Sequence, residues 1–151
     1  MPVLHERVET RLPIDAAFAF LSDFSNAAIW DPGTATAKRL DAGPVRVGSR
    51  FALGVRMAGS VRPMTYRIVR LEPDRQVVLE GSGSGVAATD TMSFERTDVG
   101  TRVDYHADIR LLGWRRLLEP FAGGAFARIA GAARAGLQRS LDERARALDA
   151  R

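Results

Sequence analysis

From Val3 to Leu12 the chain alternates, with Leu4, Val8 and Leu12 on one side and His5, Arg7, Glu9 and Arg11 on the other. That is the period-two pattern of a half-exposed strand. Pro13 suits the first position of a helix, and Ile14 to Leu21 carries apolar residues at helical spacing. A second short helix, capped by Ser22 or Asp23, has to end near Trp30-Asp31-Pro32-Gly33, whose composition is that of a turn. Strand-like segments then recur about every ten residues, the rhythm of a meandering antiparallel sheet.

Candidate turns within this region test one another, because residues paired across a hairpin keep a constant sum of positions. A turn at Gly59-Ser60 sets Val55 against Met64, Leu53 against Tyr66 and Phe51 against Ile68. A turn at Pro73-Asp74 sets Leu79 against Ile68 and Val77 against Arg70. Turning at Ser84-Gly85 pairs Asp90 with Leu79 and Met92 with Val77, and turning at Asp98-Val99 pairs Phe94 with Val103, Met92 with Tyr105 and Asp90 with Ala107. All four hairpins agree on one apolar face, from Phe51, Leu53, Val55, Met57, Met64, Tyr66 and Ile68 through Val77, Leu79, Met92 and Phe94 to Val103, Tyr105, Ala107, Ile109 and Leu111. Arg50, Arg56, Arg67, Glu80, Glu95, Arg102, Asp104, His106, Asp108 and Arg110 occupy the other, as in a sheet with one dry and one wet face.

Beyond Gly113 the period changes. Trp114, Leu117, Leu118 and Phe121, then Ala125, Ile129, Ala133, Leu137, Leu141 and Leu148, recur at three to four residues. Pro120 cannot stand deep inside a helix, so a short helical turn precedes it and the main helix runs from about Pro120 to about Leu148. Gly123, Gly124, Gly131 and Gly136 each weaken that helix by up to about 1 kcal/mol relative to Ala. Two readings explain them: close packing of the helix against the sheet, or space left for a ligand.

Composition narrows the function. The 151 residues are 46% hydrophobic and 26% charged, enough apolar material for one core and too little for two, so residues 1–151 read as one α+β domain. No apolar run approaches the roughly 20 residues of a membrane span, and the first residues do not form a signal peptide. Stable membrane insertion is not expected, and the cytoplasm is the expected location. The absence of cysteine removes disulfides, thiolate nucleophiles and cysteine-held metals, and His5 and His106 stand in no metal-binding spacing, so neither a metal nor a cofactor is expected. The net charge of +4 comes from arginines interleaved with 18 acids and forms no basic arm or stripe, which argues against nucleic acid. Gly81-Ser82-Gly83-Ser84-Gly85 lacks the Lys and following helix of a phosphate-binding loop and reads as a flexible hairpin, a gate if a cavity lies beneath it.

The run Pro13-Ile14-Asp15-Ala16-Ala17-Phe18-Ala19-Phe20-Leu21-Ser22-Asp23-Phe24, followed by Trp30-Asp31-Pro32, resembles the N-terminal signature of the polyketide cyclase/dehydrase and lipid-transport families, members of the START and birch-pollen-allergen (SRPBCC) superfamily. Val47-Gly48-Ser49-Arg50-Phe51, Leu71-Glu72-Pro73 and Gly100-Thr101-Arg102-Val103 match the same families, so the resemblance spans nearly the whole chain. It implies the helix-grip fold: a curved antiparallel sheet of about seven strands wrapped on a long C-terminal helix, with two short helices after strand one. It also implies a cavity for a hydrophobic small molecule, in a monomer or homodimer. The motifs mark fold better than chemistry, because one scaffold serves carriers and enzymes alike.

On that fold the candidate ligand contacts are Trp30, Phe51, Leu53, Val55, Met64, Tyr66, Ile68, Asp90, Met92, Phe94, Tyr105, Ala107, Phe126 and Ile129, an apolar wall with a few polar tips. Asp90 is the anomaly, a carboxylate on the dry face that needs a partner. It is expected to accept a hydrogen bond from Tyr105 or Tyr66, or to bind a polar group of the ligand, with its pKa raised by burial. Arg62 and Glu6 are weaker inward candidates, Arg62 for the cavity mouth. The first function expected is binding of a lipid, polyketide or isoprenoid-like molecule. The alternative is a polyketide cyclase or dehydratase with Asp90 and Tyr66 or Tyr105 as acid and base.

Overall fold

The computed structural model describes residues 3–57, 59–121 and 123–150, with side chains outside 118–127. In chain order it runs β1 (Val3–Thr10), α1 (Ile14–Ser22), a 3-10 turn (Phe24–Asn26), α2 (Ala27–Trp30), β2 (Thr34–Arg39), β3 (Arg50–Met57), β4 (Ser60–Glu72), β5 (Gln76–Gly83), β6 (Val86–Arg96), β7 (Thr101–Leu111), a 3-10 segment (Gly113–Phe121) and α3 (Gly123–Asp149). Among the described residues seven strands form one antiparallel sheet in the order β1-β7-β6-β5-β4-β3-β2, curled into a half-barrel. β1 and β2, neighbours in sequence, are thus its two edges. The helical segment between them has to cross the concave face, and α3 closes that face against β1 and α2.

Two of the four expected hairpins occur in the expected register: Leu79 with Asp90 and Val77 with Met92, then Phe94 with Val103, Met92 with Tyr105 and Asp90 with Ala107. Ser84 and Gly85 both have positive φ, 55° and 77°, the pair of left-handed residues that a tight two-residue hairpin requires. Ser84 Oγ donates to the Pro63 carbonyl (2.9 Å) and the Gly85 carbonyl accepts from Leu112 N (2.8 Å), so this turn is tied on both sides and is not a loose gate. The β3–β4 register falls two residues from expectation: Met57 pairs with Ser60, so Leu53 faces Met64 and Phe51 faces Tyr66. A shift by two leaves every side chain on its assigned face. Ile68 does oppose Leu79, but an irregularity between Ile68 and Arg70 then sets Leu71, in place of Arg70, against Val77.

The dry face is as the alternation assigns it. Phe51, Ile68, Val77, Leu79, Met92 and Val103 are fully buried and pack with Leu21 and Leu12 from the first helix and its approach. On the wet face, His5 meets His106 edge-on and Arg7 donates to Asp104 (2.9 Å). α3 begins at Gly123, three residues later than expected, because Pro120 belongs to the preceding 3-10 segment. It buries Ala133, Leu137 and Leu141, exposes Arg128, Arg134, Arg139, Arg144 and Arg146, and covers the open edge of β1, where Gln138 Nε2 donates to the Glu9 carbonyl (2.7 Å). No helix among the described residues is long and apolar enough to cross a membrane.

Candidate functional site

Sheet, crossing segment and α3 do not fill the space between them. A cavity of about 400 Å³ remains, within the usual range for small-molecule sites. Leu53, Val55 and Met57 from β3, Met64 and Tyr66 from β4, Val86, Ala88 and Asp90 from β6, and Tyr105, Ala107, Ile109 and Leu111 from β7 form its sheet wall. Leu4, Phe24, Ile129 and Ala133 add apolar surface from β1, the crossing segment and α3. Asp31, Gly33, Thr34 and Arg56 complete it where the chain leaves α2.

The polar groups gather at one pole. The Tyr105 hydroxyl donates to Asp90 Oδ2 at 2.7 Å, one of the two partners expected for that carboxyl. Asp90 is only 3% exposed, and burial lifts its pKa to about 7, against the lowering effect of the Tyr105 bond and with a further lift from the charge of Asp31. Both phenols are held well above the ordinary tyrosine range, first by burial and then by the carboxylates facing them. The Tyr66 hydroxyl makes no hydrogen bond among the described residues, leaving it available to a ligand. Asp31 accepts from Gly33 N and from the Thr34 hydroxyl, both at 2.9 Å. Burial raises its pKa, opposed by those two bonds and by the charge of Arg56. Arg56 is the one cationic residue among the described lining residues, and its Nη1 donates to the Pro32 carbonyl (2.6 Å).

Of the sequence-derived candidates, Leu53, Val55, Met64, Tyr66, Asp90, Tyr105, Ala107 and Ile129 line this cavity. Trp30, Phe51, Ile68, Met92 and Phe94 do not: they are buried where sheet and crossing segment are in direct contact. Trp30 stands edge-on to Tyr105 (5.5 Å between rings) and to Phe24 (6.3 Å), so it props two cavity residues from behind, its own indole N–H without a partner among the described residues. Phe126 is on α3, but its side chain lies outside the described residues. Arg62, expected at the cavity mouth, is exposed opposite Val55, donates to Ser60 Oγ (3.1 Å) and is not among the lining residues. Glu6 turns to α3, 3.7 Å from Arg134.

Asp31 and Arg56 were legible only as turn chemistry and wet-face alternation. Arg56 reaches the cavity because β3 runs beside the chain leaving α2, where its own N–H donates to the Gly33 carbonyl (2.8 Å). Val86, Ala88, Ile109 and Leu111 share the parity of Asp90 and Ala107, a signal sufficient to find them.

Tyr66 depends on a glycine. Its ring lies over Gly81 of β5, where a Cβ would stand 2.5 Å from the ring, and Phe24 packs on the ring at 5.1 Å. Gly81→Ala is therefore expected to push the phenol into the cavity and weaken binding of an apolar probe at least several-fold. Unchanged probe affinity in a fluorescence titration would show that the ring has another way out.

This is a helix-grip domain with an acid-tipped apolar cavity between its sheet and its C-terminal helix. The model of the polyketide cyclase/dehydrase and lipid transport family matches residues 1–149, and the chain belongs to that family. Among solved structures it is similar to the Zhui aromatase/cyclase of Streptomyces sp. R1128, with 18% identity, TM-score 0.72 and 93% of each chain covered. A START superfamily protein of Mycobacterium smegmatis matches at 17% identity and TM-score 0.73, over 97% of this chain and 98% of that one. A protein of Thermus thermophilus matches at 11% identity and TM-score 0.75, over 93% and 97%. At such identities the likeness is one of fold. No curated protein sequence matches the chain significantly. Family and fold together point to ligand binding or polyketide cyclisation.

Proposed function

We propose that the protein binds an apolar or amphipathic small molecule between the sheet and α3 and holds it without covalent change. The observation that carries this reading is the cavity itself: about 400 Å³, with a predominantly apolar wall and its polar groups at one pole. Burying a ligand there removes apolar surface from water at roughly 25 cal/mol per Å², while the pole fixes its orientation. Neither histidine faces the cavity, so the usual neutral-pH proton shuttle is missing among the described lining residues. The test is a fluorescence titration with N-phenyl-1-naphthylamine, a neutral apolar probe. Saturable one-site binding, displaced by decanol and lost in Val55→Trp, which fills the space from the half-buried wall, is the expected result. A wild-type protein that gives no saturable signal overturns the reading.

One observation favours a second reading. A carboxyl with its pKa near 7, bonded to one tyrosine and close to another, is equipped to give and take a proton at neutral pH. A cyclase or dehydratase would use Asp90 as base, with Tyr66 or Tyr105 as the donor to a developing oxyanion. Turnover of an enolisable polyketide-like substrate, abolished by Asp90→Asn, would move the assignment from carrier to enzyme.

A further inference from the structure

The charge balance of the cavity specifies the polar end of its ligand. Asp90 and Asp31 both face the same space, and the charge of Asp31 disfavours ionisation of Asp90. Against them, among the described lining residues, stands only Arg56, which is exposed and already committed to the Pro32 carbonyl. The two phenols add no positive charge, and the hydroxyl of Tyr105 is already donated to Asp90. Every other described lining residue is apolar or uncharged: Leu4 from β1, Phe24, Gly33 and Thr34 from the crossing segment, Ile129 and Ala133 from α3, and the remaining sheet positions. A carboxylate or phosphate entering here would meet two acids with no cation free to pair with it. A cation would supply what the site lacks, since a buried carboxylate is stabilised by an opposite charge that also donates hydrogen bonds.

We infer that the ligand is an amphipathic molecule whose buried end is a protonated amine, held by Asp90 with Asp31 in support, and that the cavity discriminates against chain-like acids. The inference rests on the binding reading above and names its ligand class. In the complex the ammonium donates to the Asp90 carboxylate, whose Oδ2 keeps its bond from Tyr105, and the apolar tail runs along Met64, Ala107 and Ala133. Because the ammonium selects ionised Asp90, amine affinity rises with pH through the neutral range, where this carboxyl titrates in the free protein, and levels off above it. The titratable and charged groups facing Asp90 across the cavity are Asp31, Arg56, Tyr66 and Tyr105.

Three probes of equal chain length test this: decylamine, decanol and decanoate, each used to displace N-phenyl-1-naphthylamine from the full chain at pH 7.5. Decylamine is expected to bind at least tenfold more tightly than decanoate, with decanol between them. The net charge of +4 favours the anion at the protein surface, so nonspecific attraction works against the expected order. In Asp90→Asn the ratio of decylamine to decanol affinity is expected to fall about tenfold, the cost of one lost charge-assisted contact. Decanoate binding as tightly as decylamine, with decanol also bound, overturns the amine assignment and leaves the carrier reading standing. A tight amine whose preference survives Asp90→Asn overturns the role of Asp90. If none of the three displaces a saturably bound probe, the amine assignment falls, while the carrier reading stands on the probe's own saturation and falls only if the probe itself does not bind.

Discussion

Asp90→Asn is more stable than the unaltered protein at pH 8 and indistinguishable from it near pH 4. The carboxyl titrates near 7 in the folded chain against an ordinary value of 3.8. Between those pH values the folded state retains a proton that the unfolded state releases, so stability falls as pH rises from about 4 to about 7 and is level on either side. Three pKa units at about 1.36 kcal/mol each put the loss on the order of 4 kcal/mol, an upper bound because water entering the cavity lowers it. Asparagine keeps the shape and an amide oxygen for the Tyr105 hydroxyl but carries no charge to desolvate, so the variant escapes the loss. In a chain of this size, 4 kcal/mol corresponds to a melting-temperature gain of about 10 °C at pH 8. Other groups tilt the absolute curve: desolvation raises the pKa of Asp41, but hydrogen bonds from Arg39 and the Arg50 N–H with the nearby arginine charges bring it below its ordinary value, and the hydrogen bond from Arg70 lowers that of Glu72. The variant-minus-wild-type difference, measured by calorimetry from pH 4 to pH 8, cancels them. A difference that does not change with pH would mean that Asp90 ionises as an exposed acid does, and the inference about the ligand would lose its electrostatic basis.

That a carboxyl destabilises its own fold also explains why it could be found from sequence. Alternation assigned Asp90 to the dry face, and only a residue out of keeping with its surroundings announces itself in that way. The sheet was legible for a related reason. Each hairpin register constrains the next, so the two-residue error at β3–β4 moved partners without turning any side chain over. What could not be read was which buried residues face space and which face each other. Phe51 and Leu53 sit two residues apart on one strand face, yet Phe51 is sealed against Phe24 while Leu53 opens on the cavity. That distinction depends on where the crossing segment and α3 lie over the sheet, a tertiary property that no local period encodes. Asp31 and Arg56 were hidden for the same cause: their place at the cavity comes from the chain that leaves α2 running beside β3, not from their own strand or turn.

Gly136→Ala lowers stability by about 2–3 kcal/mol, although the same change at an exposed helical site normally raises it. A Cβ at Gly136 would fall on the carbonyl oxygen of Trp30, with Pro32 Cδ at 3.1 Å. These are positions at the end of α2 that cannot rotate away, so α3 has to retreat. Gly131 is the control on the same helix. A Cβ there meets nothing within 4 Å, so Gly131→Ala gains up to about 1 kcal/mol in helix propensity. Of the two explanations for glycine in this helix, close packing accounts for Gly136, and the surface it packs on is α2, not the sheet. In thermal unfolding the pair should split by about 10 °C, with Gly136→Ala below the unaltered protein and Gly131→Ala above it. Equal melting temperatures would mean that α3 can slide along α2 at little cost. The consequence extends past stability, because the chain that passes Gly136 at Trp30 goes on at once to Asp31, Gly33 and Thr34 in the cavity wall. A helix displaced from α2 loosens the acid pole, so Gly136→Ala should also reduce the preference for decylamine over decanoate, whereas Gly131→Ala should leave it unchanged.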